Sequence, residues 1–448
     1  MPGIALGAAC IVLLLATAVP SARADSLTAG GPVTPAGVCD FAAAITPGGG
    51  RSALVYTRPA RDCNDVGSLY ARVGRGRKMR RAVALERRST RKGARAVQIF
   101  GARLAAGPDG SVVAAWIVRG RARRYDEVRA AVARPGHGFG GPQTLARRRT
   151  HADRVPEIDL AGVVAGRGAT IVVSWAAGTP PASVLRIAVR RGAGRFGRQQ
   201  TLGPIYLLGL FGEAPATLAV SPSGIVVAGW RPGEDHSATA ATLRARHRTF
   251  GSRRKVSGGD DALAVRAVGG PGGAGVSWQT RAAGGAAVLM RLARLRRDAG
   301  LTRPATLAVA DTAGGLEVDG PHVAFTAAAP FAAWQRFRDI SEAGDGAMDM
   351  TSVQAAIAGA RPATTLSSPG AGVGRPVLVA LSDRALAGWV EGELRVAASR
   401  SGRWSPPRTL PGIAGRFTIA AARRSAIVAW LAVTEDGRQR VRLAVYAR

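Results

Sequence analysis

Short apolar runs recur along this chain at nearly even intervals, each entered through a Gly/Pro turn and closed by one large aromatic residue. The pattern reads LAAGPDGSVVAAW at residues 104–116, VVAGRGATIVVSW at 163–175 and LAVSPSGIVVAGW at 218–230. Looser copies end at Trp278, Trp334, Trp389 and Trp430, and AITPGGGRSALVY at 44–56 carries Tyr56 in the tryptophan place. Eight copies result, spaced 41 to 60 residues apart. A period of about 50 residues built from short β-like segments marks a propeller or a similar array, whose units bury their apolar faces only against one another.

A second phrase follows each of the first and completes the unit. It appears as GFGGPQTL ending at Leu145, RFGRQQTL at Leu202, TFGSRRKV at Val256 and RWSPPRTL at Leu410, with GLTRPATL at Leu307 and RPATTL at Leu366 as variants. Between the two phrases lie alternating segments such as VRAAVAR at 128–134 and LRIAVRR at 185–191. Each unit therefore offers four strands, a to d. Strand b is continuously apolar, as expected of a strand covered on both faces, and strand c alternates like one nearer solvent. The tryptophans, flanked by Ala and Gly, are read as packing between neighbouring sheets. After Trp430 only eighteen residues remain, too few for a fourth strand in the last unit, and residues 26–36 are placed to supply it. The sequence predicts an all-β chain, a β-propeller of eight four-stranded blades, with seven the alternative if the Tyr56 unit is peripheral. Residues 25–448 form one domain in this reading, with 25–38 holding the closing strand.

These repeats resemble the sialidase-like class of propellers and secreted bacterial repeat proteins of that style. The resemblance covers the mature chain and rests on the turn-to-Trp phrase and the F-G-x-P-x-x-L-like phrase. It implies the propeller fold. The Ser-x-Asp-x-Gly-x-x-x-Trp box of sialidases is not among the repeats, and Pro108-Asp109-Gly110 falls between strands a and b instead.

Charge adds a second layer. The net charge is +33, all but three of the 62 basic residues are arginine, and residues 72–103 hold twelve basic residues against the single acidic Glu86. Such a surface attracts polyanions in a salt-dependent way, although the Arg, Ala, Gly and Val excess also has the look of compositional bias. Residues 4–19 form an apolar run too short to span a bilayer comfortably, followed by Ala22-Arg23-Ala24 of small-x-small form. Residues 1–24 are read as a signal peptide and the mature protein as secreted, with no transmembrane segment. Cys39 and Cys63 then remain as a pair, expected to form one disulfide at one end of the first blade.

Topology places the a–b and c–d turns on one face of the disc and the b–c and d–a loops on the other, where variable loops on a rigid scaffold usually bind. The candidates drawn from that face are Arg147, Arg148, Arg149, His151, Asp153, Glu157 and Asp159 between blades, with Glu234, Asp235 and His236, and with Glu317 and Asp319. The pairs Asp235 with His236 and Glu157 with Asp159 are the acid or base groupings retained for glycoside or ester hydrolysis. Residues 338–361 hold Asp339, Glu342, Asp345 and Asp349, read as a solvated loop in which calcium is the metal alternative. No catalytic residue, zinc spacing or phosphate loop is assigned, and no cofactor is called for. Three functions follow: a secreted noncatalytic binding or scaffold propeller, a glycan-processing hydrolase of sialidase-like architecture, and an arginine-rich polyanion binder. The partner expected is an extracellular glycan, a polyanion or a cell-surface protein.

Overall fold

The computed structural model describes residues 26–48, 50–59, 66–87, 97–120, 125–149, 158–179, 182–206, 216–233, 235–312, 316–339, 348–358, 362–368, 373–400, 402–433 and 437–447. Among these there is no helix, and so none long and apolar enough to cross a membrane. The strands form antiparallel sheets that follow the repeats. Blade 2 pairs Val97–Ala106, Val112–Gly120, Tyr125–Ala133 and Gln143–Arg149 in chain order, and blade 3 does the same with Ile158–Gly166, Thr170–Ala177, Val184–Arg190 and Gln200–Pro204. The innermost strands contact one another in sequence order, and the last of them, in Arg408–Ala421, meets the first, Phe41–Ile45. The ring closes at eight blades.

Two departures from simple repetition occur at the closure. Arg408–Ala421 is one strand serving two blades: Arg408, Thr409 and Leu410 pair with Glu393–Arg400 of blade 7, and Phe417 to Ala421 pair with Ser425–Val433 of blade 8. The fourth strand of blade 8 comes from the other end of the chain, Ser26–Pro32, antiparallel to Gln439–Ala447 with Ala29 opposite Ala444.

The seven repeat tryptophans are completely buried, and Tyr56 nearly so. Each aromatic residue packs on the blade before it. Trp230 of blade 4 lies among Leu185, Ile187 and Leu202 of blade 3, and Tyr56 of blade 1 lies among Ile427, Ala429 and Leu431 of blade 8. An indole or phenol hides 150–250 Å² on burial, so these residues dominate cohesion between sheets. Polar clamps support them at the rim. Gln143 of blade 2 donates from Nε2 to the Phe196 carbonyl of blade 3 (3.2 Å) and accepts the Phe196 N–H at Oε1 (3.0 Å). Gln200 repeats this with Phe250 of blade 4 at 3.1 and 2.9 Å. The side-chain amide thus stands in for a strand partner, which explains the glutamine and the Phe-Gly of the second phrase. In the a–b turns, Gly110 and Gly224 take positive φ (82° and 86°) and donate back to Gly107 and Ser221.

Candidate functional site: a charged ring around the axis

The first half of each inner strand faces the axis on the side of the b–c and d–a loops. Five of these strands slip register there, between Phe100 and Arg103, Leu160 and Gly162, Leu263 and Arg266, Asp319 and His322, and Ala414 and Phe417. Bulges of this kind re-aim side chains and concentrate near functional sites. In blade 5 the slip holds Ala264 at φ 49°, a conformation that is strained for a residue with a Cβ.

Charged side chains sit at or beside these inner strands, and several pair with a side chain of opposite sign on a neighbouring blade. Asp40 precedes the inner strand of blade 1 and accepts from Arg416 Nη1 of blade 8 at 2.8 Å. Arg103 of blade 2 lies within electrostatic reach of Asp40 and of Asp159 in blade 3. Arg266 of blade 5 contacts His322 Nε2 of blade 6 at 3.0 Å, and Arg375 of blade 7 pairs with Asp319 of blade 6. In blade 4 the corresponding position is Thr217, whose Oγ1 accepts the Ala267 N–H of blade 5 at 2.5 Å.

The electrostatics define the space these groups share. Burial raises the Asp40 carboxyl against the pull of Arg416 and Arg103, and raises Asp159 against Arg103. Burial lowers the Arg103 guanidinium, and it pushes the His322 imidazole well below 6.5 with Arg266 and Arg375 adding to the effect. Yet Arg103, Asp159 and Arg416 keep exposed surface. These groups are thus flanked by protein yet open to water, on strands that surround the propeller axis. His322 is neutral at pH 7, so the ring presents four guanidinium groups, three carboxyls and an imidazole able to donate or accept.

The ring contains two of the residues expected from sequence, Asp159 and Asp319. Neither lies in a loop: Asp159 is in Ile158–Gly166 opposite Ala176, and Asp319 and Glu317 are in Leu316–Phe325 opposite Gln335 and Phe337. Arg147, Arg148 and Arg149 likewise belong to the outer strand Gln143–Arg149 and not to a d–a loop, because strand pairing continues past the apolar phrase. Arg147 stacks over Tyr125 at 4.3 Å and pairs with Glu127 at 3.3 Å, beside Arg129, which bridges Glu86 and Glu127 at 2.6 Å each. Arg119, near the end of strand Val112–Gly120, pairs with the fully buried Asp126 at 2.9 Å. Asp235 and His236 each hold other partners: Asp235 accepts from Lys255 (3.1 Å), the main cause of its lowered pKa, and His236 meets Asp261 at 3.0 Å.

His151, Asp153, Glu157 and Glu234 lie outside the described residues, as do Cys63, the partner expected for Cys39, and residues 340–347 and 359–361 of the acidic segment, with Glu342 and Asp345. Asp339 and Asp349 are strand residues there, opposite Met348 and Arg338. Among the described residues no three His, Cys, Asp or Glu side chains cluster as metal ligands would.

Sequence reasoning missed Asp40, Arg103, Arg266, His322, Arg375 and Arg416. A signal existed once the copies are aligned on their aromatic residue. Arg103, Arg266 and His322 each oppose the residue just before the tryptophan, and Asp159 and Asp319 the residue just after it.

No family model matches this chain, and no curated protein matches it. Solved structures with a similar course include the polysaccharide lyase Uly1, at 10% identity and TM-score 0.45, with 75% of this chain and 88% of that one covered. A prolyl endopeptidase aligns at 12% identity and TM-score 0.43 over 95% of this chain. The sialidase of Trypanosoma rangeli aligns at 7% identity and TM-score 0.41 over 91% of it. This chain spans about half of the last two, 55% in each case. At these overlaps none of them carries an argument about what this chain binds.

Proposed function

We propose that this chain is a secreted noncatalytic propeller that binds an acidic glycan at the mouth of its axial channel. The observation that supports the reading is the charge on the inner strands: Arg103 and Arg416 group with Asp40 and Asp159, and Arg266 and Arg375 with His322 and Asp319, on strands that surround the axis. Guanidinium forks suit carboxylates, and partial desolvation strengthens such pairs. The intervening Asp40, Asp159 and Asp319 orient the arginines and offer acceptors to sugar hydroxyls. Secretion follows from residues 1–24 as a signal peptide, and Cys39 and Cys63 are proposed as its single disulfide.

The test is binding of the purified mature chain to acidic and neutral polysaccharides at low and high salt, with product release followed in the same samples. Binding of acidic polymers that persists at high salt and is lost in Arg103→Gln and Arg375→Gln supports the reading. Binding that vanishes with salt in every variant refutes it and leaves polyanion condensation on the arginine-rich surface.

One observation favours a hydrolytic reading of the same site. The raised pKa values of Asp40 and Asp159 suit a general acid, and product release abolished by Asp159→Asn would establish it.

A further inference from the structure

Five blades place an arginine on strand c directly opposite the buried tryptophan of strand b. Arg129 faces Trp116, Arg186 faces Trp175, Arg291 faces Trp278, Arg395 faces Trp389 and Arg442 faces Trp430. A cation set against the side of an indole between two sheets calls for a counter-charge. Blade 2 supplies one, since Arg129 meets Glu86 and Glu127, and blade 5 does too, with Arg291 at 3.4 Å from Asp260. In blade 3 the partner is neutral. Arg186 Nη1 donates to Gln199 Oε1 at 3.1 Å, and among the described residues no carboxylate bonds it.

Beside Arg186 a cavity of about 200 Å³ opens between blades 2 and 3, and Arg147, Arg148, Trp175 and Gln199 share its wall. Trp175 is completely buried, and among the described residues its indole N–H has no partner. Trp116, Trp278 and Trp334 share this state, whereas the same atom of Trp230 donates to the Pro204 carbonyl at 3.0 Å and that of Trp430 to the Pro411 carbonyl at 3.3 Å, so in blade 3 it is the adjoining cavity that sets the indole apart. The wall thus combines Arg186 on its neutral partner, the Gln199 amide and the Trp175 indole donor, flanked by Arg147, which also pairs with Glu127, and by Arg148, and no carboxylate lines it. Such a donor set takes an oxyanion, and a planar carboxylate matches the guanidinium fork in two parallel hydrogen bonds.

We propose that this cavity binds the carboxylate of a single acidic sugar or small organic acid, at a site separate from the axis. The reading does not depend on what the axial channel binds.

Calorimetric titration of the mature chain with glucuronate, glucose and sulfate, at 150 and 400 mM salt, tests it. Glucuronate binds one-to-one and loses less than tenfold in affinity at the higher salt, while glucose does not bind. Arg186→Gln weakens it at least tenfold. Gln199→Glu places a carboxylate on Arg186, reproducing the arrangement of blade 2, so it abolishes glucuronate binding while raising the unfolding midpoint. That second variant keeps the test decisive if Arg186→Gln folds poorly. The proposal is overturned by no saturable binding of glucuronate, by sulfate binding equally well with a steep salt dependence, or by undiminished affinity in Gln199→Glu. Loss of glucuronate binding in Arg103→Gln would place the ligand on the axis and overturn it equally.

Discussion

The same substitution made at two equivalent tryptophans separates packing from hydrogen bonding. Trp175 and Trp230 are both completely buried against the preceding blade, and they differ in the indole N–H: Trp230 donates to Pro204 at 3.0 Å, and Trp175 has no partner among the described residues. Replacing either by phenylalanine removes part of a ring system. Aromatic side chains bury 150–250 Å², so an indole-to-phenyl difference of about 50 Å² at ~25 cal/mol/Å² costs about 1.3 kcal/mol at both sites. At Trp230 the hydrogen bond is lost as well and the Pro204 carbonyl is left without its donor, adding about 1 to 2 kcal/mol. We expect Trp230→Phe to destabilise by about 2.3 to 3.3 kcal/mol and Trp175→Phe by about 1.3. Urea unfolding followed by far-UV circular dichroism measures this, provided the slopes with denaturant agree and a two-state treatment holds. Equal losses at the two sites, or a larger loss at Trp175, would refute the assignment of the two indole environments.

Further outcomes follow from the same structure. Deleting residues 26–32 strips the partner from Gln439–Ala447 and exposes a strand edge, so the truncated chain aggregates in light scattering while the full chain stays monodisperse. Folded His322 has a depressed pKa, so below pH 6.5 the unfolded chain binds the extra proton and stability falls on acidification. The fall is at most about 1.4 kcal/mol per pH unit, and His322→Gln removes this component from urea midpoints compared at pH 7.5 and 5.5. Asp40 and Asp159 act in the opposite sense. Their raised folded values give a stability contribution complete below 3.8 and lost as pH rises through those values, which a carboxyl-carbon NMR titration tracks. If Cys39 and Cys63 are bridged, thiol titration finds no reactive thiol in the mature chain, and reduction costs about 3 kcal/mol.

How much was legible in sequence follows from what repeats. The blades were visible because each needs the same turn, the same apolar strand b and the same aromatic knob, and the Tyr56 copy is a full blade. The phenol stacks on Tyr70 at 5.6 Å and fills the place of an indole. The axial charges were not visible, because every blade but the fourth contributes only one or two such residues, 41 or more positions from the next blade's, and closure of the circle makes them neighbours. Arg375 and Asp319 illustrate this: nothing local to either predicts the pairing. Loop boundaries failed for a different reason. Arg147 to Arg149 look like a polar linker, but the outer strand has one face toward solvent and tolerates charge while its backbone continues to pair. The arginine of strand c was hidden in plain alternation, since only registry with the tryptophan gives it meaning.

The strand borrowed from the N-terminus sets an order of events during synthesis. Thr34 accepts the N–H of Val441 at 2.9 Å across a separation of 407 residues. At ~5–20 residues per second, the first strand leaves the ribosome roughly 20 to 80 seconds before its partner exists. Seven blades can stack vectorially behind it, each on the one before, but the eighth waits for both chain ends. Ring closure is therefore the last and most nonlocal step, and an unfinished chain carries a free β-edge throughout that interval. A holdase that shields residues 26–32 until release would raise the yield of closed rings without touching any blade.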